Sequence, residues 1–169
     1  MMLRIIGAVL VVASSTGVGF MLAANCKAQE RTLKQLIQAL RHMACRLAYC
    51  MPPLPELCRS SAAVAGGTVG SVLERFSSEL ETNRYSDPAV CMGFVLADAK
   101  LPQISKYVLQ MLGGALGNFD LEGQLKAINA VHLECQAQLA SISQNKDVRI
   151  RNYQTLGICA GAALAILLI

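Results

Sequence analysis

The fold is decided by the last third of the chain, residues 120–169, which read DLEGQLKAINAVHLECQAQLASISQNKDVRIRNYQTLGICAGAALAILLI. A seam of mostly apolar side chains recurs in steps of four and three: Leu121, Leu125, Ile128, His132, Cys135, Leu139 and Ile142. This heptad spacing predicts one near-continuous helix that starts in a helical bundle. Arg149 and Arg151 then precede an uncharged apolar tail, which we expect to enter a membrane.

The heptad seam has two candidate partners. It can pack against an equally apolar helix earlier in the chain, or it can pair with a second copy of the chain. Because the seam lasts only about three heptads, near the lower limit for a free coiled coil, packing within the chain is favoured. Asp120 is predicted to cap the start of this helix, and Glu122 suits its first turn.

The composition indicates a single helical protein that is partly embedded in lipid. Apolar residues make up 54% of the chain and charged residues only 15%, which is below the usual share for a soluble domain. The net charge of +4 is small, and no cluster of aromatic residues that could stack on bases is present in the sequence. A nucleic-acid partner is therefore not expected. The 7 cysteines are odd in number and irregularly spaced, which favours reduced thiols in a cytoplasmic domain over a disulfide scaffold.

Two apolar runs are predicted to be membrane helices. The run from Leu3 to Ala24 carries one charge, Arg4, and would span roughly 33 Å as a helix. A cleaved signal peptide is the alternative, but its apolar core would be unusually long. The second run starts at Tyr153 and is short for a full crossing. We therefore predict membrane helices at residues 1–24 and 153–169, with a helical bundle over residues 25–152.

Flanking charges predict the orientation of these membrane helices. Five basic residues, against the single acid Glu30, follow the first run: Lys27, Arg31, Lys34, Arg41 and Arg46. Basic residues also precede the second run. The positive-inside rule therefore places residues 25–152 in the cytoplasm, with both termini outside.

Small residues in the two apolar runs suggest how membrane helices would pack. Gly157, Gly161 and Ala165 form a GxxxG-type face in the second run, and Ser15 and Gly19 form a matching face in the first. Such faces let two membrane helices approach closely. The two faces would pair with each other, with a membrane helix of a partner, or with another copy of the chain. The competing interpretation is that these small residues are the ordinary content of a membrane helix.

The first helix of the bundle shows one apolar stripe and one basic face. The stripe contains Leu33, Leu36, Ile37, Leu40, Met43, Ala44 and Leu47. This spacing is typical of an amphipathic helix. Two roles remain open for the basic face, contact with anionic lipid head groups or simple solvation on the outside of the bundle.

Proline, glycine and capping residues divide the rest of the bundle into short helices. Proline should end the first helix after Tyr49 and start a second near Leu54. We expect a flexible link over residues 65–70 and then a capping box at Ser71–Glu74. Two further helices should start at Asp87-Pro88 and Pro102, the second ending at Gly117. The prediction is an all-α protein, a bundle of about six helices flanked by membrane helices.

Histidine and cysteine provide the one candidate for a metal site. His42 with Cys45, and His132 with Cys135, share the spacing H-x-x-C. The second pair lies on the heptad seam but the first lies off the apolar stripe, so a shared zinc ion is not expected. No catalytic arrangement or cofactor motif stands out, and we do not expect an enzyme. A metal- or redox-responsive membrane-anchored module using these pairs is the alternative function.

Several short motifs together resemble one protein family. They are an N-terminal anchor, Gln35-Leu36-x-x-Ala39-Leu40, Tyr49 ahead of Pro53-Leu54-Pro55-Glu56, Leu116-Gly117-x-x-Asp120-x-x-x-Gln124, and Tyr153-x-x-Leu156-Gly157. In order and spacing the chain resembles the stage III sporulation protein AB family of endospore-forming bacteria. Arg46 departs from the family pattern, in which an acidic residue is common at this position.

This resemblance implies a non-enzymatic scaffold subunit of the transenvelope, secretion-like complex between mother cell and forespore. The bundle would be similar to the cytoplasmic domains of platform proteins in type II secretion and type IV pilus systems. The implied location is the mother-cell membrane around the forespore, and the implied partners are the complex's other membrane proteins and its cytoplasmic ATPase. We expect the partner-binding residues to be Arg41, Arg46, Pro53, Leu54, Glu56, Gly117, Asp120 and Gln124.

Overall fold

A computed structural model describes the backbone of residues 2–82, 86–116 and 120–168, and the side chains of residues 24–82, 86–116, 120–144 and 155. The described backbone forms six α-helices and no β-strand: α1 (Met2–Cys50), α2 (Leu54–Ala65), α3 (Gly67–Glu81), α4 (Pro88–Ala97), α5 (Gln103–Ala115) and α6 (Leu121–Leu168). The all-α prediction is therefore confirmed. Gly117, predicted to end the fifth helix, lies outside the described residues.

The chain divides into two compact units. Gln29–Ala140 forms one, which we call the bundle unit, and Met1–Ala28 with Ser141–Ile169 forms the other. The first apolar run and the first bundle helix are parts of one helix, α1, because no proline or glycine separates them. Likewise, α6 runs without a break through the stretch quoted above, as its heptad spacing predicted.

The centre of the bundle unit is built on one side of α1. We call this side the core stripe: Leu33, Leu36, Leu40, Met43 and Leu47, each no more than 6% exposed. The opposite side of α1, from Arg31 to Tyr49, is solvent-exposed. As the sequence predicted, the apolar spacing therefore determines which side of the helix is buried.

The core stripe packs against α6. The Cys135 thiol, which is completely buried, donates a hydrogen bond to the Leu33 carbonyl oxygen at 3.5 Å. Val131 and Ile128, one and two turns earlier, are also buried. The heptad seam therefore packs within the chain. Since the segments before Gln29 and after Ala140 share a unit, α1 and α6 run antiparallel.

The link between α2 and α3 is shorter than the sequence suggested. The predicted flexible link at residues 65–70 is wrong, because Gly66 alone separates the two helices. Gly66 and Gly67 adopt φ values of 61° and 54°, which glycine tolerates and which reverse the chain within one residue. The predicted capping box is also wrong: Ser71 lies inside α3, where its hydroxyl donates to the Gly67 carbonyl oxygen at 3.1 Å.

The remaining helices complete the bundle unit in chain order. α2 packs against α3, α3 against α4, and α4 against α5. Asp87 caps α4 by accepting a hydrogen bond from the Ala89 amide at 2.8 Å, as predicted. Gly113 of α5 lies so close to α4 that an added Cβ would be 2.6 Å from the Cβ of Met92.

The membrane predictions concern the other unit. Among the residues that the structure describes, no helix contains a stretch both long and apolar enough to cross a membrane. The predicted membrane-packing residues lie in helical backbone, but their side chains are outside the described set: Ser15, Gly19, Gly157, Gly161 and Ala165.

Candidate partner-binding site

Two predicted contact regions lie at the same end of the bundle unit. The contact between Leu33 and Cys135 aligns the antiparallel helices α1 and α6. Arg46 in α1 and Glu122 in α6 are equally far from this contact, about 20 Å along each helix axis. The turn after α1 and the start of α6 are therefore level with each other.

An ion pair joins two of the predicted partner-binding residues. The Arg46 guanidinium lies 3.1 Å from the Glu56 carboxylate, across the turn between α1 and α2. Their side chains are 35% and 59% exposed, so solvent screens much of this attraction. The Arg46 Nε atom is buried and has no hydrogen-bond partner in the described part of the chain. Arg46 is therefore a partly buried group that helps to hold the turn.

Pro53 and Leu54 start α2, two to three residues before Glu56 of this ion pair. The Pro53 carbonyl oxygen accepts a hydrogen bond from the Leu57 amide at 3.0 Å. Pro53 itself has no donor to lose, which suits the first position before a helix. Pro53 is exposed and Leu54 is half-buried, so this turn presents an apolar surface to solvent.

Asp120 has the capping role that the sequence predicted. Its carboxylate accepts a hydrogen bond from the Gly123 amide at 3.0 Å, and its carbonyl oxygen accepts one from the Gln124 amide at 2.8 Å. Asp120 is exposed, whereas Gln124 is half-buried. Asp120 is therefore occupied in folding α6, although its side chain also remains accessible to a partner.

Arg41 differs from Arg46 in both exposure and pairing. Arg41 is exposed and forms no ion pair with any described residue. Two exposed apolar residues at and just beyond the end of α1 were absent from the predicted site: Tyr49 is 85% exposed and Met51 is 63% exposed. Helical spacing gave no signal for Met51, which lies beyond the helix, and the sequence marked Tyr49 only as a helix end and as part of a family motif.

Within the described residues, the histidine and cysteine pairs are not gathered into one larger group of metal-ligating side chains. His42 Nδ1 lies 3.1 Å from the Ser61 hydroxyl, and Cys45 is exposed. His132 is half-buried and Cys135 is fully buried. Within the described ranges, no group of three or more His, Cys, Asp or Glu side chains could hold an ion. These contacts give no support to the alternative metal- or redox-responsive function.

The buried cysteines are held in the thiol form. Burial raises the pKa of Cys135 to about 11, with a further contribution from Glu134. Burial, followed by the nearby Cys91, raises the pKa of Cys58 to about 12. Metal ligation and nucleophilic attack both require the thiolate, so these residues pack as apolar groups at neutral pH.

Comparison with known proteins relates the whole chain to one family. The family model of stage III sporulation protein AB matches residues 4–169. The stage III sporulation protein AB of Bacillus subtilis (strain 168) is 26% identical over 170 residues, which cover 99% of each chain. A solved structure of stage III sporulation protein AB matches with a TM-score of 0.61 and 22% identity, over 72% of this chain and 98% of that one, and shares the fold. The match extends over nearly every residue, and the chain belongs to the stage III sporulation protein AB family.

Proposed function

We propose that this chain is a structural subunit of the membrane complex that connects mother cell and forespore during sporulation. The observation that carries the proposal is the family match over residues 4–169, which includes both chain ends as well as the bundle unit. In this role the chain acts by binding other proteins and catalyses no reaction.

Deletion of the gene in its native endospore-forming host tests the role in sporulation. Heat-resistant spores are counted in the deletion strain and in the same strain supplied again with the wild-type gene. We expect spore counts to fall sharply on deletion and to recover with the wild-type gene. Normal spore counts in the deletion strain would contradict the proposal.

The proposed location is the mother-cell membrane around the forespore, with residues 25–152 in the cytoplasm. The support comes from the sequence: two uncharged or nearly uncharged runs at the chain ends, each flanked by basic residues on the side of the bundle unit. Alkaline extraction of membranes should leave the chain in the pellet, and protease added to the mother-cell cytoplasmic side should cleave the bundle unit. Release of the intact chain by alkaline extraction would argue against this placement.

The proposed partners are the complex's other membrane proteins and its cytoplasmic ATPase, bound at the turn after α1 and the start of α6. These two regions are level with each other in the bundle unit and combine accessible charge with exposed proline. Arg41, Arg46, Pro53, Leu54, Glu56, Asp120 and Gln124 contribute, and we include Gly117 on the basis of its motif alone. This arrangement supports the platform-like role that we propose.

Two similar ion pairs make it possible to distinguish an effect on partner binding from an effect on folding. Arg46–Glu56 and Arg59–Glu81 are both partly exposed pairs, with separations of 3.1 Å and 2.6 Å. Each should contribute at most about 1 kcal/mol to stability. We expect Arg46→Ala to reduce co-purification of complex members and spore counts, and Arg59→Ala to leave both unchanged. Equal effects of the two substitutions would contradict a binding role for Arg46.

A further inference from the structure

One side of α1 is exposed, with no described element of the bundle unit packed over it. We call it the outer face: Arg31, Lys34, Gln38, Arg41, Cys45 and Tyr49, all of which are exposed. These residues follow one another in steps of three and four, so they share a side of the helix. The outer face extends about 27 Å along the axis. It lies away from the core stripe, which is buried in the bundle unit.

The outer face carries positive charge that acidic side chains compensate only in part. None of its residues is acidic, and Lys34 is neutralised by Glu30 at 2.7 Å. Arg31 and Arg41 form no ion pair in the described part of the chain, whereas Arg46, Arg59 and Arg75 each face a carboxylate. The two free guanidinium groups lie about 15 Å apart along the axis. They are well placed to receive two carboxylates from outside.

The outer face ends in an exposed apolar tip. Tyr49 is 85% exposed and Met51 is 63% exposed, although both are large and apolar. Met51 also adopts a φ of 45°, a left-handed conformation that a methionine rarely takes. Uncovered aromatic and methionine side chains beside arginine form a composition typical of the centre of protein interfaces.

We propose that the outer face of α1, with the tip at Tyr49 and Met51, binds an acidic segment of a partner protein. Two carboxylates of the partner meet Arg31 and Arg41, and an apolar side chain covers Tyr49 and Met51. A lipid surface fits less well. A helix lying on a membrane inserts an apolar side, and the apolar side of α1 is buried in the bundle unit. This inference rests on the proposed function, since the partner is sought among proteins of the sporulating cell.

Site-specific crosslinking in the full-length chain identifies the occupant. A photo-crosslinking benzoylphenylalanine replaces Cys45, which is exposed in the middle of the outer face. The same amino acid in place of Ser78, exposed on α3, provides a control position. After irradiation of sporulating cells, mass spectrometry identifies the crosslinked peptide. We expect an adduct at position 45, absent at position 78, with a protein segment containing more Asp and Glu than Lys and Arg.

Substitutions with matched controls test the chemistry of this surface. Arg31→Glu with Arg41→Glu, and separately Tyr49→Ala, should each reduce the adduct at least about tenfold. Met51→Gly should also reduce it without disturbing the turn, because glycine tolerates this φ. Two controls should have no effect: Lys100→Glu, at an exposed lysine with no ion pair among the described residues, and Tyr107→Ala, at a tyrosine that is 55% exposed.

Several outcomes would overturn the inference. They are no adduct at position 45, an adduct with lipid or with a second copy of this chain, an adduct with a neutral or basic segment, or equal losses in the control variants. Loss of sporulation on gene deletion together with any of these results would leave the proposed function standing and remove the acidic docking surface alone. Normal sporulation on deletion would instead remove the proposed function.

Discussion

The two sides of α1 differ in what their residues do. On the core stripe, five apolar side chains are no more than 6% exposed and hold α1 in the bundle unit. On the outer face, charged and aromatic side chains are accessible, and Arg31 and Arg41 are unpaired within the described chain. One helix therefore separates its stabilising residues from its candidate binding residues by their angular position. Stability and partner binding should respond to different substitutions.

The largest effect on stability is expected on the core stripe. Leu40 is 1% exposed, so Leu40→Ala should leave a cavity and cost about 2–5 kcal/mol. The neighbouring Arg41→Ala should change stability by no more than about 0.5 kcal/mol. Thermal and urea unfolding of the purified full chain, followed by circular dichroism, measure both. Similar losses of stability in the two variants would contradict the conclusion that the two sides of α1 have different roles.

Two adjacent glycines in α5 provide a second comparison between a buried and an exposed position of one helix. Gly113 faces α4, where an added Cβ would lie 2.6 Å from the Cβ of Met92, whereas Gly114 has no heavy atom within 4 Å of that position. Gly113→Ala should therefore force the two helices apart and cost roughly 1–3 kcal/mol. Gly114→Ala should be neutral or stabilise by up to about 1 kcal/mol through helix propensity. Unfolding midpoints that move in the same direction would contradict this packing.

Two buried serines allow a comparison between a hydrogen-bonded and an unpaired hydroxyl in the core. Ser77 donates a hydrogen bond to the Pro55 carbonyl oxygen at 2.7 Å, but the fully buried Ser105 hydroxyl has no partner in the described chain. Ser105→Ala removes an unsatisfied group and should stabilise by about 1 kcal/mol. Ser77→Ala should destabilise by about the same amount, because it leaves the bond unmade. Urea unfolding distinguishes these opposite signs.

The last comparison concerns the pH dependence contributed by Cys135. Burial raises the pKa of this thiol from 9.0 to about 11. Between these values the unfolded chain has lost the proton and the folded chain retains it, so stability falls as pH rises through this window. The contribution is fully present below pH 9.0. Urea unfolding at about pH 8 and about pH 10.5 should therefore show a smaller loss in Cys135→Ala than in the wild type.

Cys58 provides the internal check on that measurement. Its pKa, raised to about 12 by burial and then by Cys91, gives a second contribution of the same sign. Some alkaline destabilisation should therefore persist in Cys135→Ala. An identical pH profile for wild type and variant would show that the Cys135 thiol is as accessible to solvent as a thiol of the outer face.

Much of the local structure was predictable because its causes are local. Asp87 and Asp120 cap helices as expected, since a short acceptor side chain before a helix satisfies free backbone amides. The stretch between α2 and α3 misled the sequence interpretation. Three glycines within residues 65–70 suggested a flexible link, but whether a glycine breaks a helix depends on what packs around it.

The candidate site was only partly predictable. Arg41 and Arg46 were assigned to one basic face, but Arg46 reaches the Glu56 carboxylate and Arg41 has no acid among the described residues. Pairing of this kind depends on the turn that brings α2 back beside α1. Tyr49 and Met51 were not predicted to be partner-binding residues, because their exposure is a property of the folded chain.

The sequence by itself determined the helical class, the length of α6, the two helix caps and the buried side of α1. These follow from heptad spacing, from capping chemistry and from the periodicity of apolar residues, which act over a few residues. The tertiary structure alone decided that Cys135 of the heptad seam contacts Leu33, that two glycines make a one-residue turn, and which arginines have no acid among the described residues. Those outcomes depend on which distant residues come into contact, and periodicity along one helix carries no information about that.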